Sequence, residues 1–114
     1  MSASLECPLC AAVVVADVPD IAPGTCPGCG ARYEGGEGDA PGAVAAALRG
    51  FGADDLPATD VLNAIFRLSS GDALASRVAV TSDRRDDFYL WWVFVREDGC
   101  CARDVLALLV DTSG

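Results

Sequence analysis

The sequence predicts an α+β protein, built from a small cysteine-rich module at the N-terminus and a helical domain that contains a β-hairpin. Three observations support this class. Four of the six cysteines occur in two short tetrapeptides within residues 7–29. A glycine-rich acidic segment over residues 35–42 follows them. The remainder, 43–114, combines apolar residues at helical spacing with two short apolar runs typical of strands.

The two tetrapeptides, Cys7-Pro8-Leu9-Cys10 and Cys26-Pro27-Gly28-Cys29, are separated by fifteen residues. Two such turns at this distance can bring four thiolates to the corners of a tetrahedron, which is the arrangement that zinc prefers. Four protein ligands leave no coordination position for water, so the metal is expected to be structural. The same four-sulfur cage also accepts iron. The predicted ligands of one Zn²⁺ ion are Cys7, Cys10, Cys26 and Cys29.

The stretch from Cys26 to Tyr33 resembles a zinc ribbon, a rubredoxin-like module with two Cys-Pro-x-Cys knuckles. Gly30 follows the second knuckle, where a tight turn at positive φ is expected. The first knuckle departs from the pattern, because Ala11 stands where a second glycine is usual. The resemblance covers residues 1–34 and implies a structural zinc site. It does not specify a biological role, because zinc ribbons serve many partners.

The cysteines have two other interpretations. A thioredoxin-like dithiol would need a strand before the motif and a long helix after it, whereas only residues 1–6 precede it and Pro19 and Pro23 interrupt the segment after it. A disulfide framework would need an oxidising compartment, and the N-terminus has no signal-peptide pattern. We therefore favour metal binding over thiol redox chemistry and over disulfides.

The charge of the chain is strongly acidic. Eight arginines, no lysine and 17 acidic residues give a formal charge of −9. Such a chain repels nucleic-acid phosphates unless its arginines cluster on one face. No apolar run reaches the eighteen or so residues of a membrane span. We expect a cytoplasmic protein that does not bind membranes.

The missing residue types argue against an enzyme. The absence of histidine removes Ser-His and Cys-His nucleophile pairs and the commonest general base. The absence of lysine excludes a Walker P-loop and a Schiff base. No catalytic residue is therefore predicted.

The segments after the cysteines are predicted to alternate between a linker, helices and strands. Residues 35–42 are expected to form a flexible acidic linker and a domain boundary. Asp39 can cap the first helix beyond it, where apolar residues recur at i, i+3, i+4 and i+7. The chain is expected to form helices at about 43–50, 57–69, 72–76 and 101–110, and strands at about 77–82 and 88–96.

The second strand is the most aromatic stretch, and its successive residues point to opposite faces. The face expected to cover the helices consists of Phe88, Leu90, Trp92 and Phe94. The opposite face carries tyrosine and tryptophan, which suit interfaces because they bury ring area and keep a polar edge. As an alternative, the closing helix buries this face too. The predicted partner-binding residues are Tyr89, Trp91, Arg84 and Arg85.

Together these features favour a non-enzymatic module that acts through protein–protein contact or regulation, either with a second protein or by self-association. The element order resembles a degenerate winged helix with Asp83–Asp87 as its wing, so a transcription-associated nucleic-acid-binding protein is the alternative, although the acidic charge opposes it. A thiol redox protein is a second alternative. The adjacent Cys100 and Cys101 are expected to be buried free thiols, with a vicinal disulfide or a second metal site as alternatives.

Overall fold

The computed structural model describes residues 2–17, 24–68, 72–85, 88–96 and 102–113. These residues form three helices and two antiparallel sheets, so the predicted α+β class is confirmed. The elements are β1 (Ser2–Glu6), β2 (Val13–Asp17), β3 (Gly24–Thr25), β4 (Arg32–Glu37), α1 (Ala40–Gly50), α2 (Ala58–Arg67), β5 (Val78–Arg85), β6 (Phe88–Val95) and α3 (Ala102–Ser113).

The sheets join the two halves of the chain. Strands β1 and β2 form a two-stranded sheet, and the second sheet has the order β3-β4-β6-β5. In that second sheet β4 pairs with β6 from Arg32 opposite Val95 to Glu37 opposite Leu90. A strand that follows the second cysteine knuckle is thus hydrogen-bonded to a strand near the C-terminus.

The predicted flexible linker over 35–42 is wrong. Gly35 and Gly36 lie in β4, and the Gly38 amide donates to the Tyr89 carbonyl at 3.0 Å. Asp39 caps α1, because its carboxylate accepts from the Gly42 amide at 3.2 Å. At Gly35 glycine permits close packing, because a Cβ there would lie 2.5 Å from the Trp91 carbonyl oxygen. The four-stranded sheet contains strands from both sides of the predicted boundary.

The two faces of β6 are covered by different parts of the chain. Leu90, Trp92 and Phe94 pack with Cys7 and Cys26 of the cysteine module. The opposite face packs against the helices through Val93 and Val95, which join residues of α1, α2 and α3 in the larger core. Leu90, Trp92 and Phe94 are buried as predicted, but the cysteine module covers them instead of the helices. The alternative, in which the closing helix buries the other face too, holds only in part: Val93 and Val95 are buried, but in a core that α1, α2 and α3 share, and Tyr89 is exposed.

The helices differ from their predictions in two places. In α2, where apolar residues at helical spacing are expected to face the core, Phe66 is 65% exposed, because the buried face of α2 consists of Val61, Leu62 and Ala64. The predicted helix at 72–76 is a hydrogen-bonded turn, in which the Ser76 amide donates to the Asp72 carbonyl at 3.0 Å.

Two elements that the winged-helix analogy requires, the third helix and the wing, are not formed as predicted within the described residues. Its third helix is the turn at 72–76, and residues 83–85 of the proposed wing belong to β5. Three predicted features lie outside the described residues: the turn through Pro19 and Pro23, residues 86–87 of the wing, and Cys100 with Cys101. Within the described chain, no helix has both the length and the apolar character that crossing a bilayer requires.

The close approach of β4 to β6 makes a testable prediction at Gly35. A Cβ there would lie 2.5 Å from the Trp91 carbonyl oxygen and 2.9 Å from Trp92 Cδ1. Gly35→Ala should therefore lower the free energy of unfolding by about 1–3 kcal/mol. Gly36→Ala is the matched control, because its Cβ would make only ordinary contacts at 3.8–3.9 Å. Denaturant unfolding of both variants checks this, and equal losses would contradict the packing described for β4.

Candidate metal centre

The two cysteine knuckles share one backbone pattern. In the first, the Ala11 amide donates to the Cys7 carbonyl at 2.7 Å; in the second, the Gly30 amide donates to the Cys26 carbonyl at 3.0 Å. Each knuckle ends in a left-handed residue, with φ of 67° at Ala11 and 77° at Gly30. Positive φ was expected at Gly30. Ala11 adopts the same conformation with a Cβ, which costs about 1–2 kcal/mol.

The turns bring the four sulfur atoms together. All four Sγ atoms lie within 4.8 Å of one another. The Cys10 and Cys26 sulfurs are 3.4 Å apart, and those of Cys7 and Cys29 are 3.9 Å apart. A tetrahedral ion with metal–sulfur bonds of about 2.3 Å would have sulfur–sulfur edges of about 3.8 Å. The four cysteines are positioned to bind one metal ion.

The protonation of the thiols depends on burial and on backbone amides. Burial raises the pKa of Cys7 to about 12, despite favourable contacts with the Leu9 and Cys10 amides. Burial also opposes ionisation of Cys26, but the Cys29 and Gly28 amides and the neighbouring thiols lower its pKa to about 7. The Gly28 amide donates to the Cys26 sulfur at 3.4 Å. A bound cation must therefore displace protons from some of these thiols.

The sulfur cluster lies against the aromatic face of β6. Cys7 and Cys26 are each 1% exposed, whereas Cys29 is half-buried and Cys10 is exposed. The Tyr33 and Phe94 rings beside the buried cysteines have centroids 5.4 Å apart. The inner side of the metal centre is thus the protein core, and its outer side faces solvent at Cys10.

Two arginines attach the knuckles to the rest of the protein. Nη2 of Arg96 donates to the Leu9 carbonyl in the first knuckle at 3.2 Å. Nη2 of Arg32, just after the second knuckle, donates to the Gly50 carbonyl at the end of α1 at 2.6 Å and to Glu34 at 2.9 Å. The Arg32 guanidinium also lies 5.1 Å from the centre of the Phe51 ring. These roles could not be predicted from the sequence, because only Arg32 lies near a recognisable motif and Arg96 meets the first knuckle through the fold alone.

The predicted partner-binding residues are only partly brought together. Arg84 and Tyr89 are directly opposite each other on β5 and β6, with the guanidinium 5.7 Å from the ring centre. Tyr89 is 48% exposed, and Trp91 on the same face is half-buried. The Arg85 side chain lies outside the described part of the chain.

The fold and the site define an α+β protein with a cluster of four cysteines positioned to bind a metal ion. Comparison of the chain with protein-family models, with curated protein sequences and with solved structures finds no match.

Substitutions at the left-handed residues of the two knuckles are expected to change the stability in opposite directions. Ala11→Gly should raise the free energy of unfolding by about 0.5–1 kcal/mol, because relief of backbone strain exceeds the entropy that glycine adds to the unfolded chain. Gly30→Ala should lower it by a similar amount, and its Cβ would meet nothing within 4 Å, so the effect is purely conformational. Denaturant unfolding of the metal-loaded proteins checks both. Changes of the same sign in the two variants would contradict the equivalence of the knuckles.

Proposed function

We propose that residues 1–37 form a zinc ribbon whose four cysteines hold one structural Zn²⁺ ion. A set of four thiolates suits zinc or iron rather than magnesium or calcium, which prefer oxygen ligands. Supporting this, the sulfur spacing fits the tetrahedral edge of such an ion. With four protein ligands no position remains for a reactive water, so the metal would organise the chain and take no part in chemistry.

The role we propose for the whole chain is that of a non-enzymatic module that binds a protein partner. One observation carries this proposal: both faces of the four-stranded sheet are covered along much of β6, yet Tyr89 near its start keeps half of its surface exposed, with Arg84 stacked on the ring. Tyrosine and arginine are enriched at the energetic centres of protein interfaces. An Arg–Tyr pair can bury ring area and also donate to a carboxylate or carbonyl of the partner.

The charge of the chain bears on the kind of partner. A net charge of −9 attracts proteins with basic surfaces and speeds their encounter, but it repels nucleic acid. The Arg84–Tyr89 pair then supplies a local cationic contact on a chain whose net charge is negative. A protein partner can carry a basic surface and also contact the Arg84–Tyr89 pair, whereas a polyanion is repelled by the net charge.

Two exposed aromatic residues make a matched test of this role. Tyr89→Ser removes the proposed contact, whereas Phe66→Ser removes a more accessible ring from α2, since Phe66 is 65% exposed and Tyr89 is 48% exposed. Complexes would be isolated from the native host at about 0.15 M salt, a concentration that weakens non-specific phosphate binding. The native chain and Phe66→Ser should recover similar amounts of a protein partner. Tyr89→Ser should recover at least tenfold less of it. Arg84→Ser should weaken the same complex.

Elemental analysis is the control for this experiment, because each variant should keep about one zinc per chain if the fold is intact. Loss of the partner from both aromatic variants would contradict the proposed surface. A nuclease-sensitive complex would favour the nucleic-acid alternative. Less than about half an equivalent of zinc or iron in folded protein would contradict the zinc ribbon.

A further inference from the structure

The four cysteines differ in how far solvent reaches them. Cys7 and Cys26 are 1% exposed and lie beneath the sheet, Cys29 is half-buried, and Cys10 is exposed. Cys10 is therefore the ligand with the least cover.

An open groove lies directly beside Cys10. Its volume is about 570 Å³, and it is bordered by the first knuckle, by Glu6 and by Thr81 of β5. Cys7 and Cys10 both line this groove. A small molecule can approach the outer side of the sulfur cluster here without displacing the core.

The two knuckles are also anchored differently. The second is flanked by β3 and β4, which belong to the four-stranded sheet. The first is flanked by β1 and β2, which form a separate two-stranded sheet, and such a sheet is marginal by itself. The first knuckle also carries the backbone strain at Ala11, where φ is 67°. Of the two, the first knuckle is the easier to open.

We propose that the metal ion is exchanged through this groove, with Cys10 as the first ligand to leave and the last to bind. The inference rests on the zinc ribbon proposed above. The incoming ligand is a small neutral thiol, because four thiolates around Zn²⁺ carry a charge of about −2 and Glu6 adds to the repulsion of anions. The incoming sulfur takes the position of the Cys10 sulfur, and its proton passes to the departing Cys10 thiolate. One metal–sulfur bond forms and one breaks, and no electrons are transferred.

Limited alkylation of the metal-loaded chain tests the order in which the ligands leave. The protein would be treated with less than one equivalent of iodoacetamide, a neutral reagent, and the modified cysteine located by peptide mass spectrometry. Cys10 should carry at least about five times more label than Cys29, and Cys7 and Cys26 should carry almost none. Equal or greater labelling of Cys29 would overturn the proposal. No variant has to fold for this measurement.

The rate of metal release tests the route. With 2-mercaptoethanol as the neutral thiol and a colorimetric zinc indicator in excess, the release rate should rise in proportion to the thiol concentration. Cys10→Ser should release metal at least tenfold faster than the native chain and faster than the matched variant Cys29→Ser. A rate independent of thiol concentration would overturn the proposal, because it would indicate release by unfolding. Elemental analysis beforehand separates the two proposals: absence of metal contradicts the zinc ribbon, whereas one equivalent of metal with labelling at Cys29 contradicts this exchange route alone.

Discussion

The packing of the sulfur cluster on the aromatic face of β6 is the contact on which the rest of the structure depends. Cys7 and Cys26 share a core with Leu90, Trp92 and Phe94. The knuckles contribute too few apolar residues for a core of their own, and the strand cannot leave two aromatic rings in water. The cysteine module and the C-terminal hairpin therefore need each other, although they lie far apart in sequence.

The magnitude of this mutual dependence is large compared with ordinary protein stability. Leu90, Trp92 and Phe94 are all 0% exposed, and fully burying a large apolar side chain contributes about 1.5–3 kcal/mol. Uncovering all three would thus cost a large share of the roughly 5–15 kcal/mol that typically stabilises a domain. The Arg96–Leu9 hydrogen bond adds a polar link across the same junction, and the Arg32–Gly50 hydrogen bond joins β4 to the end of α1. A metal ion bound by the four cysteines would then couple the order of the knuckles to the folding of the helices on the other face of the sheet.

The sequence predicted best the features that depend on neighbouring residues. The four cysteines are brought together as expected, because each knuckle is a local turn and the spacing between the knuckles permits their approach. The main helices and the hairpin also lie near their predicted positions, because amphipathic spacing is a local signal. The prediction of a short helix at 72–76 was wrong, because the three apolar or small residues after Asp72 are equally compatible with a single turn.

The features that the sequence did not predict depend on contacts between distant residues. Gly35 and Gly36 have the composition of a linker, and only the approach of β4 to Trp91 and Trp92 shows why the strand has glycine at position 35. The alternation along β6 identified two faces, but nothing local indicated that the cysteine module would cover one of them. Arg96 and Leu9 are likewise joined only by the fold.

The most direct test of this mutual dependence is removal of the metal from the intact chain, followed at both ends of the molecule. A chelator titration would be monitored by metal release, by the fluorescence of the tryptophans and by hydrogen exchange at Val105, Leu106 and Leu109 of α3, which are 0% exposed. All three signals are expected to change in one transition, because the sheet transmits loss of the knuckles to the helices. Helix amides that stay protected from exchange after the metal has left would contradict this mutual dependence, since the helical layer would then be stable without the cysteine module.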